Sequence, residues 1–155
     1  MRYFIILSFL IFSCTSDQIK ESNIDSKALD ILSQMSLDEK VGQMAQINLT
    51  VIAKGPTKWS SSFPLEIDPK KTRKALVDFK VGSVLNTINN TAQKPETWFK
   101  TISEIQKYSM DSTRMGIPII YGIDAIHGTT YTDGATMFPQ QITTAASWNE
   151  ENAYN

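Results

Sequence analysis

Several residue types on which common functional sites depend are scarce in this 155-residue sequence. A single cysteine, Cys14, rules out a disulfide within the chain and a cysteine-based metal site. A single histidine, His127, rules out a histidine-based zinc site made by this chain alone. Phosphate-binding loops, dinucleotide-binding fingerprints and serine nucleophile elbows are also missing from the sequence. We therefore expect neither a metal nor a cofactor.

An excess of charge of one sign is missing as well. The formal net charge is -1 at pH 7, and no basic patch with interleaved aromatic residues occurs. We interpret the one densely basic stretch, residues 70–74, as the solvated face of a helix. Hydrophobic residues make up 41% of the chain and charged residues 20%, as in folded globular proteins. The sequence therefore indicates a globular protein that does not bind nucleic acid.

The longest apolar run lies at the amino terminus and is short. Residues 4–12 are apolar except for one serine, whereas a membrane-spanning helix needs about 20 residues. Arg2 is the only charged residue before Asp17. A basic start, a short apolar core and small residues after it are typical of a secretory signal. We expect residues 1–13 to be a signal peptide and the protein to be exported.

The end of this apolar run, residues 11–14, resembles a bacterial lipobox, in which the chain is cut before a cysteine that becomes lipidated. Phe12 is bulkier than the pattern prefers, and the alternative is an ordinary signal peptide in which Cys14 has no special role. We interpret the polar, aperiodic residues 14–24 as a flexible tether. The sequence thus predicts a lipid anchor at Cys14, the membrane as a partner and a location in the bacterial cell envelope. It fixes neither the membrane leaflet nor the oligomeric state.

Helical and strand patterns alternate from residue 25 onward. Capping signals, Ser36 with Glu39 and Asp68-Pro69, precede two of the helices. We predict helices over 25–35, 37–44, from 69, over 95–113 and from 148, and strands over 45–52, 81–85 and 117–123, the last buried on both faces. Residues 54–68 form a loop by composition. The helical periods place these residues inward: Leu37, Val41, Met44, Ala75, Leu76, Phe79, Trp98, Ile102 and Ile105.

Alternation of buried strands and helices implies right-handed βαβ units and a parallel sheet, and so an α/β fold. Such a sheet either stays open and doubly wound or closes as an eight-stranded barrel, which takes about 250 residues. About three strands fit into this chain, so a barrel could not close from it alone. We also expect a truncated chain, because a helix that begins at Trp148 has no terminating residue before Asn155.

Chemistry-bearing residues concentrate in the segment 116–128. An apolar strand leads into Asp124, and a turn that contains His127 follows. Active sites of parallel α/β folds lie at the carboxyl ends of the strands, where a carboxylate can accept hydrogen bonds from two neighbouring hydroxyl groups. Asp124 is therefore a candidate binding residue, with a cap for the turn over 125–127 as the alternative. We interpret His127 as a support of this loop rather than a general base. Of the tryptophans, we expect Trp98 and Trp148 to pack, whereas Trp59 lies in a loop where it could face a ligand.

Four segments in order resemble glycoside hydrolase family 3. They are the helix motif at 35–44, the strand motif at 81–85, the Gly-Ile-Asp-Ala-x-His-Gly motif at 122–128 and the run from 136 to 149. The resemblance covers about residue 28 to the end. It implies that residues 25–155 are the N-terminal portion of a glycoside hydrolase barrel domain, an incomplete (β/α)8 TIM-like barrel. The enzyme implied is a retaining, exo-acting hydrolase that resembles β-glucosidases.

Retaining glycosidases use two carboxyl groups about 5 to 5.5 Å apart. The resemblance places both the aspartate nucleophile and the glutamate acid/base beyond Asn155, so we predict no catalytic residue in this chain. It assigns Asp124 to the binding of the terminal sugar and His127 to loop support. The implied partner is an oligosaccharide or β-glucoside of undetermined sugar and linkage. Two alternatives stay open: a non-catalytic, lipid-anchored carbohydrate-binding remnant, and an envelope protein of unrelated α/β fold.

Overall fold

The structure, a computed structural model, describes residues 16–57 and 60–154. Three features singled out from the sequence fall outside the described residues: the signal peptide over 1–13, the lipidated Cys14, and Trp59, which could face solvent or a ligand. These predictions are neither supported nor contradicted by the structure. Within the described part of the chain, no helix is both long and apolar enough to cross a membrane.

The chain divides into two compact units, and the first, residues 1–35, contributes helix α1 (Ser16–Gln34). Most of the segment 14–24, which we predicted to be irregular, is therefore helical from Ser16 onward. No glycine or proline occurs within the helix, and its glutamine, lysine and glutamate residues favour helix without needing an apolar stripe. The missing periodicity was thus a poor sign of irregular backbone. The role of this segment as a tether stays a prediction.

The second unit, residues 36–155, contains a three-stranded parallel sheet in the order β1-β2-β3, as the strand–helix alternation predicted. The strands are β1 (Gln46–Asn48), β2 (Ser83–Leu85) and β3 (Ile120–Gly122). Asn48 pairs with Leu85, and Leu85 pairs with Gly122. The carboxyl ends of all three strands therefore lie at the same level along one edge of the sheet.

In the described residues, five helices accompany the sheet: α2 (Leu37–Gln43), α3 (Pro69–Arg73), α4 (Pro95–Ser112), α5 (Gln141–Ala146) and α6 (Glu151–Tyr154). The predicted capping box is present before α2, since Ser36 Oγ accepts from Glu39 N at 3.3 Å and Glu39 Oε2 accepts from Ser36 N at 2.8 Å. Asp68 caps α3 as predicted and accepts from two backbone N–H groups. The chain after α3 continues as a π-helical turn, Lys74–Asp78, and a 3-10 turn, Leu49–Val51, follows β1.

A core of aliphatic side chains fills the second unit. Its fully buried apolar members are Leu49, Ile52, Leu76, Val84, Ile88 and Ile105. Burial of one such side chain contributes about 1.5 to 3 kcal/mol. Helix α4 is joined to β3 by Gln106, whose Nε2 donates to Ile119 O at 2.7 Å and whose Oε1 accepts from Ile119 N at 3.0 Å. Trp98 of α4 is buried as predicted and meets Tyr121 edge to face, with ring centroids 5.8 Å apart.

The prediction for the inward face of α2 was wrong. Its apolar residues Leu37, Val41 and Met44 are 75%, 60% and 87% exposed, and the buried residues are Glu39 and Gly42. Glu39 is buried because Arg114 forms an ion pair with it, with Nε donating to Oε1 at 3.0 Å and Nη2 donating to Oε2. Gly42 is buried because a Cβ there would lie 2.5 Å from Phe79 O, so only glycine permits this backbone contact. The apolar period locates a stripe but does not reveal which face the neighbouring elements cover.

Four further expectations about packing and helix boundaries were also wrong. Phe79 is exposed, Ile120 of the predicted fully buried strand is 71% exposed and Trp148 is 95% exposed. Strand β3 lies at the edge of the described sheet, so no strand on its outer side contributes side chains that would cover it. The helix predicted from Trp148 begins instead at Glu151, because Ser147 ends α5 and Asn149 Oδ1 accepts from Glu151 N at 3.1 Å.

Candidate functional site

Two polar side chains follow neighbouring strands at the carboxyl edge of the sheet, Asn86 directly and Asp124 after one intervening residue. Asn86 comes after β2, and Asp124 comes after β3. Asn86 Nδ2 donates to Asp124 Oδ2 at 3.2 Å, and Asp124 N donates to Asn86 Oδ1 at 2.9 Å. The side chain of Asp124 is exposed, and its Oδ1 accepts no hydrogen bond from the described residues. The edge therefore presents a carboxylate that is held on one oxygen and open on the other.

Asn86 is itself held by the strand next to it. Its backbone lies in the left-handed region, with φ 64°, a conformation that asparagine adopts more readily than most other residues. Asn86 N donates to Gly122 O at 2.9 Å, and Tyr121 Oη donates to Asn86 O at 2.6 Å. Burial raises the pKa of Tyr121, so its hydroxyl stays a protonated donor. Asn86, which holds Asp124, is thus itself held by Tyr121, whose side chain packs against the core.

The structure decides against one alternative for Asp124. As a cap of the turn over 125–127, its carboxylate would accept from the backbone N–H groups of that turn. Within the described residues the carboxylate accepts from Asn86 Nδ2 and from no group of the turn. In the described residues Asp124 therefore does not cap this turn, and its role in binding stays a prediction.

His127 joins the turn after Asp124 to a later part of the same loop. Its Nδ1 lies 2.9 Å from Phe138 O, and Phe138 N donates to His127 O at 2.8 Å. Because a carbonyl oxygen only accepts, Nδ1 must carry the proton. The next residue, Gly128, has φ 103°, and a Cβ there would lie 2.4 Å from Thr136 O. The hydrogen bonds of His127 with the described residues therefore go to backbone groups within its own loop.

The segment between β2 and α4, residues 86–94, connects the loops on both sides of it. Asn89 Nδ2 donates to Ser61 O at 2.7 Å, and Ser61 N donates to Asn89 Oδ1 at 3.1 Å, which fixes the loop after β1. Gln93 N donates to Tyr131 O at 2.9 Å, which fixes the loop after β3. Among the described residues, no group of three or more His, Cys, Asp or Glu side chains is placed to hold a metal ion.

Sequence reasoning missed Asn86 and Asn89. A signal was available, since three asparagines follow β2 within five positions, and asparagine in a turn favours left-handed backbone and local side-chain hydrogen bonds. Asn86, Asn89 and Asn90 all have positive φ. What the pattern did not give was the identity of their partners, because these lie 28 to 38 positions away in the sequence.

Many α/β domains have their sites at the carboxyl ends of parallel strands. A parallel sheet with a held carboxylate at that edge is the arrangement typical of this class. Residues 36–155 match the glycosyl hydrolase family 3 N-terminal domain, so the chain belongs to this family. The match begins where the second compact unit begins. The predicted fold, the N-terminal part of a TIM-type barrel, is confirmed, and an unrelated α/β fold is excluded.

Three similar proteins have names that describe glycosidases. A lysosomal beta glucosidase of Dictyostelium discoideum is 29% identical over 154 residues, with 88% of this chain and 17% of the relative covered. A periplasmic beta-glucosidase of Salmonella typhimurium is 29% identical over 126 residues, with 81% and 13% covered. A putative beta-xylosidase of Formosa agariphila is 28% identical over 153 residues, with 92% and 18% covered. The chain spans less than a fifth of the length of these relatives.

Proposed function

We propose that this chain is the sugar-binding N-terminal part of a retaining, exo-acting glycoside hydrolase that removes terminal β-linked glucose from oligosaccharides or β-glucosides. Membership of glycoside hydrolase family 3 supports the reaction class, and two relatives are named as beta glucosidases. The observation that carries the proposal is the exposed carboxylate of Asp124 at the carboxyl edge of the sheet, held on one oxygen by Asn86.

The role proposed for Asp124 is to accept hydrogen bonds from hydroxyl groups at the non-reducing end of the terminal sugar. Hydrogen bonds to a carboxylate are shorter and stronger than those between neutral groups, and they are directional. Binding energy obtained away from the cleaved bond lowers the barrier when it is realised in the transition state. Asp124 would therefore affect the rate without taking part in bond cleavage.

The nucleophile and the acid/base belong, in this proposal, to residues that follow Asn155 in the complete gene product. The short share of each relative that the chain covers supports this division. His127 would contribute only the hydrogen bond by which it holds the loop after Asp124.

The test of this function is a kinetic comparison of two aspartate variants in the complete gene product. We expect hydrolysis of an aryl β-glucoside, and we expect Asp124→Ala to lower kcat/KM at least about a hundredfold, since hydrogen bonds to charged groups are lost. Asp111→Ala is the matched control, because Asp111 is also exposed but lies near the end of α4. An aryl β-xyloside assayed in parallel distinguishes a preference for glucose from the preference for xylose that the name of the Formosa relative suggests.

Two outcomes would contradict the proposal. A complete product that cleaves no aryl glycoside would favour a non-catalytic carbohydrate-binding protein. A native rate in Asp124→Ala would leave the family membership standing and remove Asp124 from the sugar site.

Export and a lipid anchor at Cys14 are a separate part of the proposal. The basic start and short apolar core of residues 1–13 support export, as does the periplasmic relative. We expect the protein expressed in a bacterium to incorporate an alkyne-tagged fatty acid and to sediment with membranes. Cys14→Ser should lose the label and become soluble. A label that persists in the variant, or a native protein that is never labelled, would contradict the anchor.

A further inference from the structure

We infer that Asn86 is a positioning residue that holds the carboxylate of Asp124 in the orientation that binds the sugar. The inference rests on the proposed function of Asp124. It adds a second residue to the site, from a neighbouring strand end, that acts through Asp124 rather than on the ligand.

The geometry of the pair fixes Asp124 at two points, one in its backbone and one in its side chain. Asn86 Oδ1 accepts from Asp124 N at 2.9 Å, and Asn86 Nδ2 donates to Asp124 Oδ2 at 3.2 Å. One planar amide thus holds both the backbone and the carboxylate of the same residue. An exposed carboxylate without such a partner rotates freely, because the last side-chain torsion of aspartate has a broad, shallow potential. The amide removes this freedom before the ligand arrives and leaves Oδ1 open.

Few residues could replace asparagine at this position. The backbone at Asn86 has φ 64°, which excludes β-branched side chains and favours glycine, asparagine and aspartate. Glycine would keep the backbone but supply no hydrogen bond to Asp124. Aspartate would keep the acceptor for Asp124 N and place a second carboxyl group beside Oδ2. Asparagine therefore combines the backbone conformation with one donor and one acceptor on the same amide.

The position of Asn86 is itself determined by the core. Tyr121 Oη donates to Asn86 O, and Gly122 O accepts from Asn86 N, so both backbone groups are fixed by β3. Tyr121 in turn packs edge to face against Trp98. The orientation of Asp124 is thus linked through Asn86 to buried side chains, which is the arrangement expected of a preorganised site.

The first test removes the amide and keeps the backbone. In the complete gene product, Asn86→Gly should lower kcat/KM for an aryl β-glucoside about tenfold, the scale of one lost hydrogen bond to a charged group. Asn90→Gly is the matched control, since Asn90 lies in the same segment with φ 52° and its side chain makes no hydrogen bond within the described part of the chain. We expect the control to have the native rate and both variants to unfold near the native temperature.

A double-mutant cycle separates positioning from general loosening of the loop. If Asn86 acts through Asp124, Asn86→Gly should have no further effect on kcat/KM in the Asp124→Ala background. An equal tenfold loss in both backgrounds would show an independent structural effect and overturn the inference.

The pH profile of Asn86→Asp provides a readout that loop loosening would not give. Two adjacent carboxyl groups share one proton, which raises their apparent pKa, and the doubly ionised pair repels. The activity of the variant relative to the native protein should therefore fall as the pH rises. Tyr121, the other titratable group bonded to Asn86, stays protonated because burial raises its pKa. A pH-independent ratio would contradict the role of Asn86.

The outcomes distinguish a failure of the proposed function from a failure of the positioning role of Asn86. If Asp124→Ala keeps the native rate, the proposed function fails whatever Asn86 does. If Asp124→Ala is impaired while Asn86→Gly behaves like Asn90→Gly, the function stands and the positioning role of Asn86 is wrong.

Discussion

The amino end of the parallel sheet and the Asp124 carboxylate at its carboxyl end are held by different kinds of contact, although backbones also approach closely within the carboxyl-end loop at Gly128. At the amino end, Gly82 N donates to Gly42 O at 3.1 Å, and backbones approach so closely that neither glycine leaves room for a Cβ. The ion pair between Glu39 and Arg114 closes the same side. At the carboxyl end, side-chain amides such as Asn86 span the gaps between loops, and the site carboxylate is exposed.

The two kinds of contact meet different requirements, stability at the amino end and the proposed function at the carboxyl end. Backbone contacts leave no room for an added atom at Gly42 and Gly82, so the amino end restricts substitution there. Side-chain hydrogen bonds at the carboxyl end fix single groups while leaving space for a ligand. Barrel folds in general place stability at the amino ends of the strands and chemistry at the carboxyl ends, and the role proposed for Asp124 would follow that division.

The largest expected effect on stability comes from a methyl group added at the amino end. In Gly82→Ala the new Cβ would lie 2.5 Å from Gln43 O and 2.7 Å from Gln43 Cα, and both are backbone atoms that cannot rotate away. We expect a loss of about 3 kcal/mol in the free energy of unfolding. Calorimetry of the complete gene product measures it as a lower unfolding temperature.

Gly134→Ala is the matched control for this change. Gly134 has φ +80°, and a Cβ there meets nothing within 4 Å, so only backbone strain of about 1 kcal/mol is expected. If Gly82→Ala were no more destabilising than Gly134→Ala, the close approach of backbones would not be what holds the amino end together.

Local signals in the sequence predicted the parts of the fold that depend on neighbours in the chain. The capping box at Ser36, the Asp68 cap and the length of α4 all follow from residues within one or two helical turns. The strand end at Asp124 was also found, because an apolar run that stops at a carboxylate is a local pattern.

Features that depend on pairing between distant segments could not be predicted. The partnership of Asn86 with Asp124 depends on the register that places Leu85 opposite Gly122. The exposure of Val41 depends on the ion pair that turns the opposite face of its helix, with Glu39, toward Arg114. Glu39 and Arg114 are 75 positions apart in the sequence. A periodic pattern contains neither the register nor the packing direction, so both appear only in the folded chain.

The smallest expected effect on stability comes from the ion pair between Glu39 and Arg114 at the amino end. Its pH dependence distinguishes this contact from the backbone contacts beside it. Hydrogen bonds, first from Arg114 and then from the backbone of Ser36, lower the pKa of Glu39 from 4.5 to about 2. The ionised carboxylate therefore stabilises the fold above pH 4.5, and this contribution is lost as the pH falls from 4.5 toward 2. We expect Glu39→Gln to lower the unfolding temperature at neutral pH, by less than Gly82→Ala does.

The difference in unfolding temperature between the native protein and Glu39→Gln should shrink as the solution is acidified. Glu150→Gln serves as the control, because Glu150 is exposed and its side chain makes no hydrogen bond within the described residues. A difference that stays constant across this pH range would mean that ionisation of Glu39 does not contribute to stability.

The central claim is that the carboxyl end of the sheet binds the sugar and contributes little to stability. The most direct measurement is kcat/KM together with the unfolding temperature of Asp124→Ala in the complete gene product, beside Asp111→Ala. We predict that Asp124→Ala loses at least about a hundredfold in kcat/KM while it unfolds near the native temperature. A native kcat/KM in this variant, or a loss of activity that only follows a loss of folded protein, would contradict the claim.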